Sequence, residues 1–180
     1  MKKVIALLLF LLLSLGLVAP VMAEPDPVIA SLKDVVDEYL KNEGYRFEYS
    51  AEKERYIGEF NLDSALGSCK VYIYLYDDMV SCTADITTLT VPKTYRDNMA
   101  IFLTLANGEL YYAHLRMIYE EGYVHSRSAI FVESVLPSTK EIDTLVQSAL
   151  WSLDEWGNGI VRVLTGADPH QTFQEMLDEG

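Results

Sequence analysis

Between Cys69 and Asp78 the chain reads CKVYIYLYDD, with aliphatic side chains at Val71, Ile73 and Leu75 and phenols at Tyr72, Tyr74 and Tyr76. Alternation with a period of two is the mark of an extended strand, whose successive side chains point to opposite faces of a sheet. One face of this strand is therefore wholly aliphatic and the other is a ladder of tyrosines. The aliphatic face belongs under helices, because a hydroxyl buried without a partner is costly. Tyrosine, with an apolar ring and a hydroxyl that stays wet, suits a half-exposed surface. The chain must then form a sheet whose two faces meet different surroundings.

The segments around this strand extend the sheet. Residues 28 to 43 place Val28, Ile29, Leu32, Val35, Val36, Tyr39 and Leu40 at helical spacing, with Asp26 as a cap, Pro27 in the first helical position and Gly44 at the end. Two alternating runs follow, Tyr45 to Ser50 and Tyr56 to Leu62, and Asp63, Ser64, Gly67 and Ser68 mark a loop. The tyrosine strand turns at Asp77-Asp78 into Met79 to Thr87, which pairs Ile73 with Cys82 and leaves Cys69 too far along the strand for a disulfide. Thr90-Val91-Pro92 opens a helix that Asn107-Gly108 closes, and a second hairpin runs from Glu109 to Ile118 and from Tyr123 to Ser134. Ser138 and Glu141 form a capping box for a long helix. Gly157-Asn-Gly159 reads as that helix's stop, before a short apolar piece, Ile160 to Leu164, and a terminal helix opened by Asp168-Pro169. The order α-β-β-β-β-α-β-β-α-α describes an α+β domain, an antiparallel sheet with helices packed on one face.

The N-terminus begins Met1-Lys2-Lys3, continues as an apolar run to Val18 and ends in Ala19-Pro20-Val21-Met22-Ala23. That is the pattern of a secretory signal peptide over residues 1–23, with Glu24 as the first residue of a single domain spanning 24–180. An uncleaved anchor is the rival reading, although the run is shorter than the ~20 residues a spanning helix needs. Cleavage would remove Lys2 and Lys3 and no acid, leaving 12 basic against 27 acidic residues, a formal charge of −15. Such a field repels nucleic-acid phosphates and anionic lipid heads. The expected location is secreted or extracytoplasmic, without a stable membrane span after cleavage.

No catalytic pattern stands out. His114, His125 and His170 are candidate metal ligands, but no Cys, Asp or Glu accompanies them at zinc-site spacing, and they read as surface histidines. There is no Gly-x-Ser-x-Gly, and neither cysteine has a catalytic setting. The acidic pairs Asp77-Asp78 and Glu120-Glu121 fall at turns. Leu136-Pro-Ser-Thr139 resembles the start of a sortase signal, but Lys140 follows and no apolar span comes after it, so it reads as a loop and helix cap. No metal or cofactor is implied.

The stretch VPKTYRDNMAIFLTLANGELYYAHLRMIYEEGYVHSRSAIFVES, followed by IDTLVQSALWSLDEWGNGIVRVLTG, resembles the YbjN-like family, whose fold is similar to that of the type III secretion chaperones. The resemblance lies in the helix ending at Asn107, the strand with Ala113, Leu115 and Met117, the Gly122 turn, Arg127 on the return strand and the long last helix. It covers roughly residues 28 to 166 and implies a non-enzymatic protein-binding or regulatory module, often dimeric. The signal peptide sets this chain apart from the cytoplasmic chaperones.

These readings converge on a secreted module that binds a protein or peptide, or a second copy of itself. An extracellular hydrolase with scattered active-site residues is the rival class. The candidate binding residues are Tyr72, Tyr74 and Tyr76 with Tyr112, His114 and Arg116 from the second hairpin, on the sheet face away from the helices.

Overall fold

A computed structural model of the chain describes residues 27–86 and 89–179. The signal-peptide segment 1–23, the cap at Asp26 and the end of the fourth run at Thr87 lie outside the described residues. In chain order the elements are α1 (Pro27–Glu43), β1 (Glu48–Ser50), β2 (Arg55–Asn61), β3 (Ser68–Leu75), β4 (Met79–Asp85), a 3-10 turn (Lys93–Tyr95), α2 (Arg96–Ala106), β5 (Ala113–Ile118), β6 (Tyr123–Phe131), α3 (Thr139–Glu155), α4 (Gly157–Leu164) and α5 (Pro169–Glu179).

The six strands form one sheet in the order β1-β2-β3-β4-β6-β5, every neighbouring pair antiparallel. The first four strands follow in sequence as a meander, and β6 then pairs with β4 while β5 takes the outer edge. Strands β4 and β5, linked through α2, are therefore parallel to each other with β6 between them. The hairpin at Asp77-Asp78 sets Ile73 opposite Cys82, the register the sequence predicts. Both cysteines are free and buried.

Val71, Ile73 and Leu75 are at most 1% exposed, and they join Val80, Cys82 and Ala84 of β4 in a core closed by Leu32 and Val36 of α1, Phe102 of α2 and Val146 and Leu153 of α3. Two serines on this side of β6 keep their hydrogen bonds: Ser126 Oγ pairs with Ser152 Oγ at 2.6 Å, and Ser128 Oγ donates to the Leu145 carbonyl at 2.6 Å. The capping box at Ser138 and Glu141 is present, and Asp168 Oδ1 accepts from the His170 and Gln171 amides at the start of α5.

Several boundaries differ from the sequence reading. Alternation over Tyr45 to Ser50 yields a strand only from Glu48, because Tyr45 packs edge-on against Tyr39 and Phe60 instead of entering the ladder. The second hairpin begins at Ala113 and ends at Phe131, so Tyr112 lies just before β5. The α-helix expected from Thr90 starts at Arg96, after the 3-10 turn. The buried Arg96 guanidinium there donates to the carbonyls of Val91 (3.1 Å) and Glu120 (2.7 Å), tying the loop before the helix to the β5–β6 turn.

Gly157-Asn-Gly159 is not a stop. It forms the first turn of α4, and only the bend at Trp156 separates α4 from α3. The glycines are there for close approach: a Cβ on Gly157 would lie 2.3 Å from Ser64 Oγ, and one on Gly159 would lie 2.3 Å from Phe102 Cζ. Asp154 and Asn158 accept from the Ser64 and Ala65 amides at 2.8 Å, fastening the β2–β3 loop to this corner.

Candidate functional site: the open face of the sheet

Because cross-strand partners share a face, the register dictates what the side away from the helices displays. One row runs Ser50, Arg55, Tyr74, Ser81, Ala129. The next runs Glu48, Ile57, Tyr72, Thr83, Arg127, His114. A third runs Glu59, Lys70, Asp85, His125, Arg116.

The tyrosine ladder is real as a structure. Tyr72 and Tyr74 have ring centroids 6.1 Å apart, and Tyr74 and Tyr76 stack at 6.2 Å. Arg55 on β2 lies across it, its Cζ 4.8 Å from the Tyr72 centroid and 5.5 Å from that of Tyr74, while an Nη donates to the Tyr74 hydroxyl at 3.1 Å. The two phenols are thus half-buried by each other and by an arginine stem, and Tyr76 at the strand's end is exposed.

His114 and Arg116 stand on the same face, both exposed, but they do not touch the ladder. Two strands intervene, a span of ~14 Å from β3 to β5. Tyr112, 75% exposed, sits at the mouth of β5. The six residues chosen from sequence therefore share one face in two groups.

The residues that join the groups are ones the sequence reading did not select. Arg127 lies between Thr83 and His114 in its row, and its Nε donates to Ser81 Oγ at 3.2 Å. His125 lies between Asp85 and Arg116. Burial, together with the neighbouring Arg116 and Arg127 charges, holds the His125 imidazole below its ordinary pKa, and burial raises that of the Asp85 carboxyl. The signal for both was available in the alternation Tyr123, His125, Arg127, which share one face of β6 while Val124, Ser126 and Ser128 share the buried one.

Two shallow depressions mark the face. One, of about 460 Å³, is lined by Tyr112, His114, Arg116, Arg127 and Met79 among others, and the second, of about 360 Å³, by Tyr74, Tyr76, Thr83, Asp85, His125 and Arg127. Among the described residues no group of three or more His, Cys, Asp or Glu is placed to hold a metal ion, and no helix is long and apolar enough to cross a membrane.

Comparison with known proteins places this architecture. No protein-family model matches the chain, and no curated protein matches it by sequence. Among solved structures it is similar to YbjN from E. coli, a protein proposed to regulate transcription, with a TM-score of 0.50 at 14% identity over 77% of this chain and 92% of that one. The six-stranded antiparallel sheet with its helices is a YbjN-like fold.

Proposed function

We propose that this protein is a secreted, non-enzymatic module, formed by residues 24–180, that binds a protein or peptide through the open face of its sheet. The observation that carries the reading is the contrast between the two faces of β3: aliphatic residues sealed under helices on one side, and on the other a tyrosine ladder braced by Arg55, its first two rings half-buried and Tyr76 exposed. Tyrosine and arginine dominate binding hot spots, because each supplies a large contact surface and a polar group at little cost in conformational freedom. The YbjN-like fold supports a binding or regulatory role without naming a partner. The N-terminal Lys2-Lys3, the apolar run and the Val21-Met-Ala23 junction support export.

The test compares the wild type with the Tyr74→Ala, Arg116→Ala double variant as bait in the organism's own culture medium. A protein retained by the wild type and lost from a correctly folded double variant is the expected result. Equal retention by both would remove the open face from the binding surface.

A further inference from the structure

We propose that the β5–β6 half of the open face is a carboxylate site, and that its occupant is an acidic segment of a different protein whose carboxylates seat between Arg116 and Arg127. The inference rests on the reading of the open face as a binding surface and adds the chemistry of what it binds.

The register places His114 directly opposite Arg127 and Arg116 directly opposite His125. Residues so paired have Cβ atoms about 4.5–5.5 Å apart. Two arginines and two histidines thus form a square within two adjacent strands, the guanidinium charges of Arg116 and Arg127 on one diagonal, in a chain with 27 acidic residues against 14 basic. Intramolecular carboxylates do not relieve it. The ion pairs among the described residues involve Lys33 and Arg162, and neither Arg116 nor Arg127 takes part in one. Asp85 is the one carboxylate that the three rows place beside the square, opposite His125.

The geometry is that of a receptor for an anion. Arg127 spends its Nε on Ser81, which fixes the plane of the guanidinium, and no hydrogen bond among the described residues uses its terminal nitrogens. A planar guanidinium so held matches a carboxylate through two parallel hydrogen bonds. The 460 Å³ depression has room for such a group between Tyr112, His114, Arg116 and Arg127.

Charge complementarity also selects the kind of partner. A second copy would bring its own Glu48 and Glu59 to this site only together with Arg55 and Lys70, which lie beside them on β2 and β3. A long polyanion would have to lie across a molecule of net charge −13. A segment bearing a few carboxylates meets the positive square locally and avoids both penalties.

The experiment measures fluorescence anisotropy of a labelled oligoglutamate peptide with the purified protein. Oligolysine of equal length, a single-stranded oligonucleotide and phosphatidylglycerol vesicles are run in parallel. Saturable oligoglutamate binding that weakens with salt is expected, with Arg116→Gln and Arg127→Gln each losing about tenfold in affinity and Arg46→Gln, outside the three rows, losing none. Absence of oligoglutamate binding, indifference to both variants, or binding of the oligonucleotide or vesicles in its place would overturn the assignment. Independently of any variant, saturating oligoglutamate should raise the apparent pKa of the His125 ring in NMR titration, and an unmoved ring would overturn the site. If the peptide fails while capture of a natural partner still depends on Tyr74, only the carboxylate chemistry falls and the binding face stands.

Discussion

Ile73 and Tyr74 are neighbours in sequence, and truncating each to alanine should have very different consequences. Ile73 is fully buried among core aliphatics, so Ile73→Ala removes three carbons from a packed interior and leaves a cavity. The expected loss is about 4 kcal/mol, within the range for such deletions, or roughly 10 °C in Tm for a domain of this size. Tyr74→Ala forfeits its stacking on Tyr72 and Tyr76 and its hydrogen bond from Arg55. Arg55 nevertheless keeps its place over the Tyr72 ring. At a half-exposed site these contacts amount to roughly 1 kcal/mol, small beside a typical total stability of 5–15 kcal/mol. Urea unfolding followed by circular dichroism measures both. If Tyr74→Ala costs as much as Ile73→Ala, the phenolic face is part of the core, and the argument from strand sidedness fails.

Gly159→Ala should destabilise by about 1 kcal/mol where an unhindered helix would gain about as much, since its Cβ would lie 2.3 Å from Phe102 Cζ and overpacking costs about 1–3 kcal/mol; a gain in stability would refute the close packing of α4 on α2. Burial, helped by Asp154, Asp85 and Glu59, pushes the Cys69 thiol up to about 12, and burial likewise raises Cys82. Iodoacetamide at about pH 8 should therefore label neither cysteine in the folded protein and both in urea, and mass spectrometry counts the adducts. His125 has its folded pKa below the ordinary 6.5, so the unfolded chain takes up the proton first. Its contribution to stability is intact above that value and is lost as pH falls through the folded pKa. Paired urea titrations of wild type and His125→Gln should therefore diverge on acidification, the wild type losing more, and parallel curves would show that the imidazole is unperturbed.

Much of this fold was legible because its elements are short and marked at their ends. The β3–β4 register followed from a two-residue turn, and α1, α3 and α5 from a first-position proline or a cap. Sequence reasoning failed where tertiary packing decided. Gly157 and Gly159 look like punctuation until Ser64 and Phe102, far away in the chain, are seen against them. Asn107 marks the end of α2 in the sequence, but its amide also bonds the Leu115 backbone in both directions, at 2.8 and 2.9 Å, which only the fold reveals. The two groups of candidate residues were assigned to one face by parity alone, and parity does not give strand order. Placing β6 between β4 and β5 inserts Arg127 and His125 into the middle of the face.

The claim that the open face is where this protein meets its partner is tested most directly by photo-crosslinking in the producing cell. Benzoylphenylalanine would replace Tyr74 on the open face in one strain and Trp151, 56% exposed on α3, in another. A discrete covalent adduct from the Tyr74 position and none from the Trp151 position is the result this account predicts. An adduct from the helical position alone would contradict it.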